Sequence, residues 1–232
     1  WKGARVSRLQ LLAGLTLYDF LATGKQPVPR HKSFSREALL QEHPYLSAEG
    51  LKGGLRYGDC QEDDARMAMV VAAAAQAHGA VCATGIAAES LLVQADRISG
   101  AAVRDMVSGE AFAIEADVTL NMAGPWARAL AASALGETAG AVKLVKGIHL
   151  VLPAIPGLQD AFLLTAPQDG RVFFVIPWYG RTLLGTTESS VADITQAVVT
   201  PAEQTYLLDA LRALLPGLGW TDADVIASFA GA

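Results

Sequence analysis

The hydrophobic period of this chain changes near residue 80, and that change bounds the fold class before any motif is considered. Upstream, Leu9, Leu11, Leu12, Leu15, Tyr18 and Leu21 recur at helical spacing, which predicts an amphipathic helix over residues 5–22. The stretch 26–32 reads as a basic, Pro-broken loop. A short helix is predicted from Ser35, with Glu37 in its first turn and Pro44 beyond its end. Residues 53–59 read as a loop or short strand. Asp63 or Asp64 can then cap a helix running to His78, closed by Gly79. Downstream, strand spacing takes over at residues 80–84, 90–93, 142–152 and 225–229. Residues 97–107 and 110–120 flank the hairpin signal Ser108-Gly109, and residues 171–178 and 182–187 flank Tyr179-Gly180-Arg181. Asn121 to Trp126 end a strand and open a helix, with Pro125 near its first position. Thr200-Pro201-Ala202-Glu203 is a capping box that starts a helix to about Leu215. Strands outnumber helices and no regular βαβ alternation is present. The predicted class is therefore α+β, with a mixed, largely antiparallel sheet and flanking helices.

Composition removes several function classes. Hydrophobic residues make up 52% and charged residues 18% of the 232, too apolar for a disordered tail. Eighteen basic against 23 acidic side chains leave a net charge of −5, so no basic stripe exists for a phosphate backbone, and nucleic acid is excluded as a partner. Cys60 and Cys82 form neither a disulfide scaffold nor a Cys-x-x-Cys metal pair, which fits a cytoplasmic compartment. No apolar run reaches the roughly 18 residues of a spanning helix. Lys25, Arg30 and Lys32, beside the first helix, read as a solvated basic loop, with peripheral contact to anionic lipid as the alternative. The chain opens on Trp1-Lys2-Gly3 and is expected to be a piece of something longer.

Most nucleotide-binding and catalytic motifs are absent from the sequence. There is no Gly-x-Gly-x-x-Gly after a strand, no Gly-x-x-x-x-Gly-Lys-Ser/Thr, no His-Glu-x-x-His and no Gly-x-Ser-x-Gly. The most suggestive segment is residues 143–153. At period two, Lys143, Val145, Gly147, His149 and Val151 share one face. A histidine beside a glycine there can set a base against a ligand that approaches the backbone closely. From the residues alone, the preferred reading is a satisfied core histidine at a bulge. Lys146 then points the other way as a solvated lysine, unless the strand bulges at Gly147.

Seven segments, in order, resemble the flavin-dependent glycerol-3-phosphate dehydrogenases of the aerobic, respiratory-chain type. They are Leu17-Tyr18-Asp19, Tyr57 to Met67 (with Asp63-Asp64-Ala65-Arg66), Asn121 to Trp126 and Lys146 to Pro153. Phe173 to Trp178, Gly185-Thr186-Thr187-Glu188 and Ser228-Phe229-Ala230-Gly231 complete the set. No single motif decides the matter, but together and in this order they are specific. The resemblance implies the substrate or cap part of an amino-acid-oxidase-like flavoprotein. Its parts would be a helical lead-in over 1–50, partial FAD-domain strands and helices over 51–140, and a substrate-binding sheet domain over 141–232. It further implies oxidation of sn-glycerol 3-phosphate to dihydroxyacetone phosphate, with hydride passing to FAD and electrons to a quinone.

His149 matches the histidine that acts as base in that family. Lys146, Thr187 and Trp178 fall at the substrate, and Ala88, Ala123, Gly124 and Trp126 at the cofactor; no metal is implied. From the residues alone, Thr186 and Thr187 close a hairpin more readily than they hold substrate, and Trp178 serves equally as a core aromatic. Asp63, Asp64 and Arg66 read as a helix cap and an ion pair. Glu188 stands where the family more often has Asp. Gly53-Gly54-Leu55-Arg56-Tyr57 mimics a family motif that belongs earlier in the order, so Arg56 receives no role. The family's Gly-rich pyrophosphate turn and the arginine of its Gly-x-Arg-Pro are absent from this sequence. The chain by itself is thus expected to be inactive, to bind FAD weakly or not at all, and to self-associate into a homo-oligomer through apolar surface. The alternatives are a glycerophosphate oxidase or another flavoprotein of the wider group, and a non-catalytic binding domain. The expected location is cytoplasmic, peripheral on the inner face of a membrane.

Overall fold

The computed structural model describes residues 1, 6–22, 29–136 and 143–232. Two compact units divide it: Trp1–Cys60 with Val145–Ala232, and Gln61–Leu144. The boundaries expected at 50 and 140 are not those at which these units part, because the N-terminal segment clusters with the C-terminal sheet.

In the first unit the chain opens with helix α1 (Arg8–Leu21), whose capping box joins Ser7 to Gln10. The expected start at residue 5 lies outside the described residues, as do Lys25 and residues 26–28 of the basic loop. Asp19 is buried near the end of α1 and anchors the segment that follows: the His31 N–H donates to its Oδ2, which lies 2.7 Å from His31 Nδ1. Strand β1 (Lys32–Ser35) was not predicted; it pairs antiparallel with β2 (Gly53–Arg56). Gly53 explains the closeness, since a Cβ there would sit 2.5 Å from the Phe34 carbonyl oxygen. Between them runs α2 (Arg36–Glu42), capped by Ser35, whose Oγ accepts from the Ala38 N–H at 3.2 Å. Ser35→Ala is expected to cost about 0.5–2 kcal/mol in urea unfolding, the usual loss for an N-cap hydroxyl.

The second unit holds α3 (Asp64–Ala77), with Asp63 accepting from the Arg66 N–H at its start, as expected. A three-stranded antiparallel meander follows: β3 (Ile86–Gln94), β4 (Arg97–Asp105) and β5 (Ala111–Glu115). The Ser108-Gly109 turn is held by Asp105, whose Oδ1 accepts from the Val107 and Ser108 N–H groups. The expectation of a strand at 80–84 is corrected. Val81 is 94% exposed and no described strand pairs with that run, and an extended run without a ladder partner is not a strand. Residues 116–123 likewise carry no strand, so β5 ends earlier than expected. Gly124–Trp126 form a single 3₁₀ turn that leads into α4 (Ala127–Leu135).

The remainder of the first unit is a six-stranded sheet and one long helix. Its strands are β6 (Leu144–Leu152), β7 (Phe162–Thr165), β8 (Val172–Trp178), β9 (Arg181–Gly185), β10 (Ser189–Val191) and β11 (Ala227–Gly231). The order is β10-β6-β9-β8-β7, with β11 also paired to β6. Short β7 and β10 escaped the sequence reading because three or four residues carry too little alternation. Helix α5 (Pro201–Leu214) starts at the expected capping box, with Thr200 and Glu203 bonding reciprocally. Its Leu207, Leu208 and Leu211 join Ile148, Leu150, Leu152, Val175 and Leu184 in one fully buried cluster. On β6 the buried set is therefore the even-numbered one. His149 lies on the opposite, half-buried face, and the core-histidine reading is overturned.

Candidate active site

The centre of β6 places an imidazole among aromatic rings and bare backbone. His149 faces Phe229 on β11 and Gly185 on β9 in register, and Phe174 on β8 faces Gly185. Residues directly opposite in an antiparallel pair point to the same side, so these four form a row across the sheet. The Phe229 ring stacks on His149, with centroids 5.1 Å apart and planes 15° from parallel. On its other side the imidazole leans over Gly185, where an added Cβ would lie 2.3 Å from His149 Cδ2. Phe229 is 50% and Phe174 39% exposed, so the row stands on an accessible sheet face. Two residues along, Gly147 allows Thr186 to approach: a Cβ at 147 would meet Thr186 Oγ1 at 2.4 Å.

The other expected substrate residues do not gather at His149. Lys146 points to the core and is only 4% exposed, which overturns the solvated-lysine reading. Its Nζ donates to Glu203 Oε2 at 2.9 Å and to the Val198 carbonyl at 2.8 Å, on the sheet face opposite His149. Burial works to raise the Glu203 pKa, but hydrogen bonds from Lys146, Thr200 and Ser189 outweigh it and bring it to about 2. Thr187 is buried, and its Oγ1 accepts from the Ile148 N–H at 3.3 Å, so that hydroxyl ties strands together. Trp178 lies four residues along β8 from Phe174, about 13 Å at the usual strand rise. It lines a cavity of about 230 Å³ with Ile155, Leu158, Pro177 and Thr182, its ring edge-on to Tyr179.

In the second unit, Ala88 is exposed on β3, while Ala123, Gly124 and Trp126 form the turn before α4. Asn121 shapes that turn: its Oδ1 accepts from the Ala123 N–H and its Nδ2 donates to the Ala127 carbonyl. Gly124 has φ +51°, and no atom lies within 4 Å of where its Cβ would be, so the turn presents open backbone.

Glu42, His43 and Asp160 also converge in the first unit. The cation among them is already supplied by Arg56, whose Nη2 lies 2.8 Å from Asp160 Oδ2 and contacts Glu42. His43, its pKa lowered by burial, meets the Tyr45 hydroxyl at 2.9 Å. This is a half-exposed ion-pair cluster at the end of β2, with a salt-bridge role for Arg56 that the sequence left unassigned. Phe174, Gly185 and Phe229 are the residues at the row that it did not single out, although all three lie in segments carrying the resemblance.

A profile of FAD dependent oxidoreductases, the DAO family, matches residues 5–232. The chain belongs to this family. The DAO chain is 30% identical over 233 residues to an aerobic glycerol-3-phosphate dehydrogenase of Staphylococcus haemolyticus, covering 99% of this chain and 42% of that protein. It is 34% identical over 227 residues to glycerol-3-phosphate dehydrogenase 2 of Mycobacterium bovis, covering 97% and 38%. An alpha-glycerophosphate oxidase of Streptococcus pyogenes is 32% identical over 234 residues, covering 99% and 38%. Among solved structures, glycerol-3-phosphate dehydrogenase from Bacillus halodurans complexed with FAD superposes with a TM-score of 0.78 at 31% identity, over 86% of this chain and 40% of that one. The DAO chain thus spans about two fifths of the length of these relatives. Among its described residues, no helix is long and apolar enough to cross a membrane.

Proposed function

We propose that this chain forms the substrate side of an FAD-dependent enzyme that oxidises sn-glycerol 3-phosphate at C2 to dihydroxyacetone phosphate. The observation that carries the reading is an imidazole on an accessible sheet face, flanked by aromatic rings and glycines, in a chain whose relatives above are named for this substrate. FAD, when bound, supplies the acceptor for the C2 hydride. The residues present fit a flat ring system: Gly124 and Ala123 leave a turn backbone uncovered, Trp126 is exposed beside it, and Ala88 adds a small surface on β3.

The chemistry of this chain is then acid–base. Neutral His149 accepts the C2 hydroxyl proton through a ring nitrogen as the C–O bond gains double-bond character, and later returns that proton to water. Phe174 and Phe229 line the face and limit water around the imidazole. Lys146 and Thr187 act one layer below, holding β6 against α5 and the β9–β10 connection. Trp178 serves the cavity at the far end of the β8–β9 hairpin. The expected substrate contacts of these three residues are revised accordingly.

Electrons leave to a quinone in this reading. A second acceptor, oxygen, is favoured by the 32% identity to an alpha-glycerophosphate oxidase. Exposed Leu9, Leu17, Phe20 and Leu21 on α1 support peripheral membrane contact, with Arg30 and Lys32 nearby in sequence. Anaerobic addition of sn-glycerol 3-phosphate to the FAD-loaded enzyme is expected to bleach the flavin absorbance, while glycine and proline leave it unchanged. Bleaching by an amino acid and not by the phosphate overturns the reading. Reoxidation of the bleached enzyme by a quinone or by oxygen then identifies the acceptor.

A further inference from the structure

We propose that Phe229 and Gly185 are positioning residues that hold the His149 imidazole in a slot between β11 and β9, so that it meets substrate in a single orientation. The inference rests on the reading of His149 as the proton acceptor and extends it to the groups that aim the ring. A histidine on a strand face has broad freedom about χ2, with rotation between sp³ and sp² carbons only weakly restricted. Here three observations remove that freedom. Phe229 stands directly opposite His149 in the β6–β11 register and covers one ring face, with centroids at 5.1 Å and planes at 15°. Gly185 stands directly opposite on β9 and leaves room for the ring to lean over its backbone. A Cβ at 185 would lie 2.3 Å from Cδ2, 2.8 Å from Nε2 and 2.9 Å from Cγ, so any larger residue displaces the imidazole bodily.

The two neighbours act in opposite senses on one ring. Phe229 pushes it toward β9, and the missing side chain at 185 accepts it. Proton transfer needs a donor–acceptor separation near 3 Å in the reacting pose, and a misplacement of about 1 Å can cost 10²-fold. The slot therefore converts a mobile side chain into a fixed acceptor without touching the substrate itself.

The test compares Phe229→Leu, Phe229→Tyr and Gly185→Ala in the FAD-loaded enzyme, each checked for wild-type flavin content and thermal unfolding. Phe229→Leu is expected to lower kcat about ten-fold and Gly185→Ala about 10²-fold, with KM within two-fold of wild type in both. Phe229→Tyr, which keeps the stacked ring, restores kcat to within about two-fold. A second readout needs no turnover. In flavin-free protein, the His149 ring-proton resonances, assigned by their loss in His149→Gln, are expected upfield because of the stacked ring. They move downfield in Phe229→Leu and stay in Phe229→Tyr. Wild-type kcat in Phe229→Leu with displaced resonances overturns this inference alone. Unmoved resonances in Phe229→Leu overturn it as well, because the stack then holds nothing. Full turnover in His149→Ala instead overturns the reading beneath it.

Discussion

Replacing His149 by alanine in the FAD-loaded enzyme is expected to lower kcat by about two to four orders of magnitude, the usual contribution of a positioned general base. The alcohol at C2 is far too weak an acid to lose its proton unaided at neutral pH. Removing the imidazole leaves water as the acceptor, and water is neither basic enough nor fixed in place. KM is expected to change little, because the interaction is made as the proton moves rather than when substrate arrives. His149 is only half-buried and contributes nothing to the cluster beneath β6, so flavin content and thermal unfolding stay near wild type. A variant that keeps most of its turnover returns His149 to a packing role.

Lys146→Ala is expected to destabilise the fold by about 1–3 kcal/mol, because the Glu203 carboxylate loses its charge partner in a largely buried position while keeping its hydrogen bonds from Thr200 and Ser189. Replacing both residues by leucine removes the charges together, at the cost of the Glu203 half of the α5 capping box and of the Ser189 hydrogen bond. The pH dependence follows from Glu203, whose ordinary carboxylate value of 4.5 is lowered to about 2 in the folded chain. A depressed acid stabilises the fold fully above its unfolded pKa. Glu203 therefore contributes its full share above about pH 4.5 and loses it as pH falls toward about 2. Urea unfolding between neutrality and pH 2 reads this directly: the wild type loses stability on acidification, and the double leucine variant loses less of it. Equal acid sensitivity in both chains assigns the effect to other carboxylates.

How much was legible beforehand depended on whether a signal was local. The capping box at Thr200 and the cap at Asp63, the turns at Ser108-Gly109 and Tyr179-Gly180, and the sheet-dominated class all follow from neighbours within a few residues. The strand over 144–152 was legible for the same reason. Which of its faces is buried was not. Val145 and Val151 on one side compete with Ile148, Leu150 and Leu152 on the other, and only the leucines of α5 decide between them. Lys146 shows the cost of that ambiguity: a lysine reads as solvated until its partner Glu203, 57 positions away, is brought against it. The residues around His149 come from three other strands, and Phe229 is 80 positions distant in sequence. The family resemblance could mark such segments as present, but pairing and register alone put their rings in contact.

The alternation along β6 also governs which genetic changes the strand can absorb. Its odd positions face the imidazole row and its even positions reach the leucine cluster, so the two sides answer to different demands through one backbone. Point changes are felt on one side only. A single-codon deletion between Lys146 and His149 inverts both at once, sending the imidazole into the apolar layer and Leu150 out beside Phe229. In a library of variants of this segment, in-frame deletions of one residue are expected to be lost even at positions where most substitutions survive.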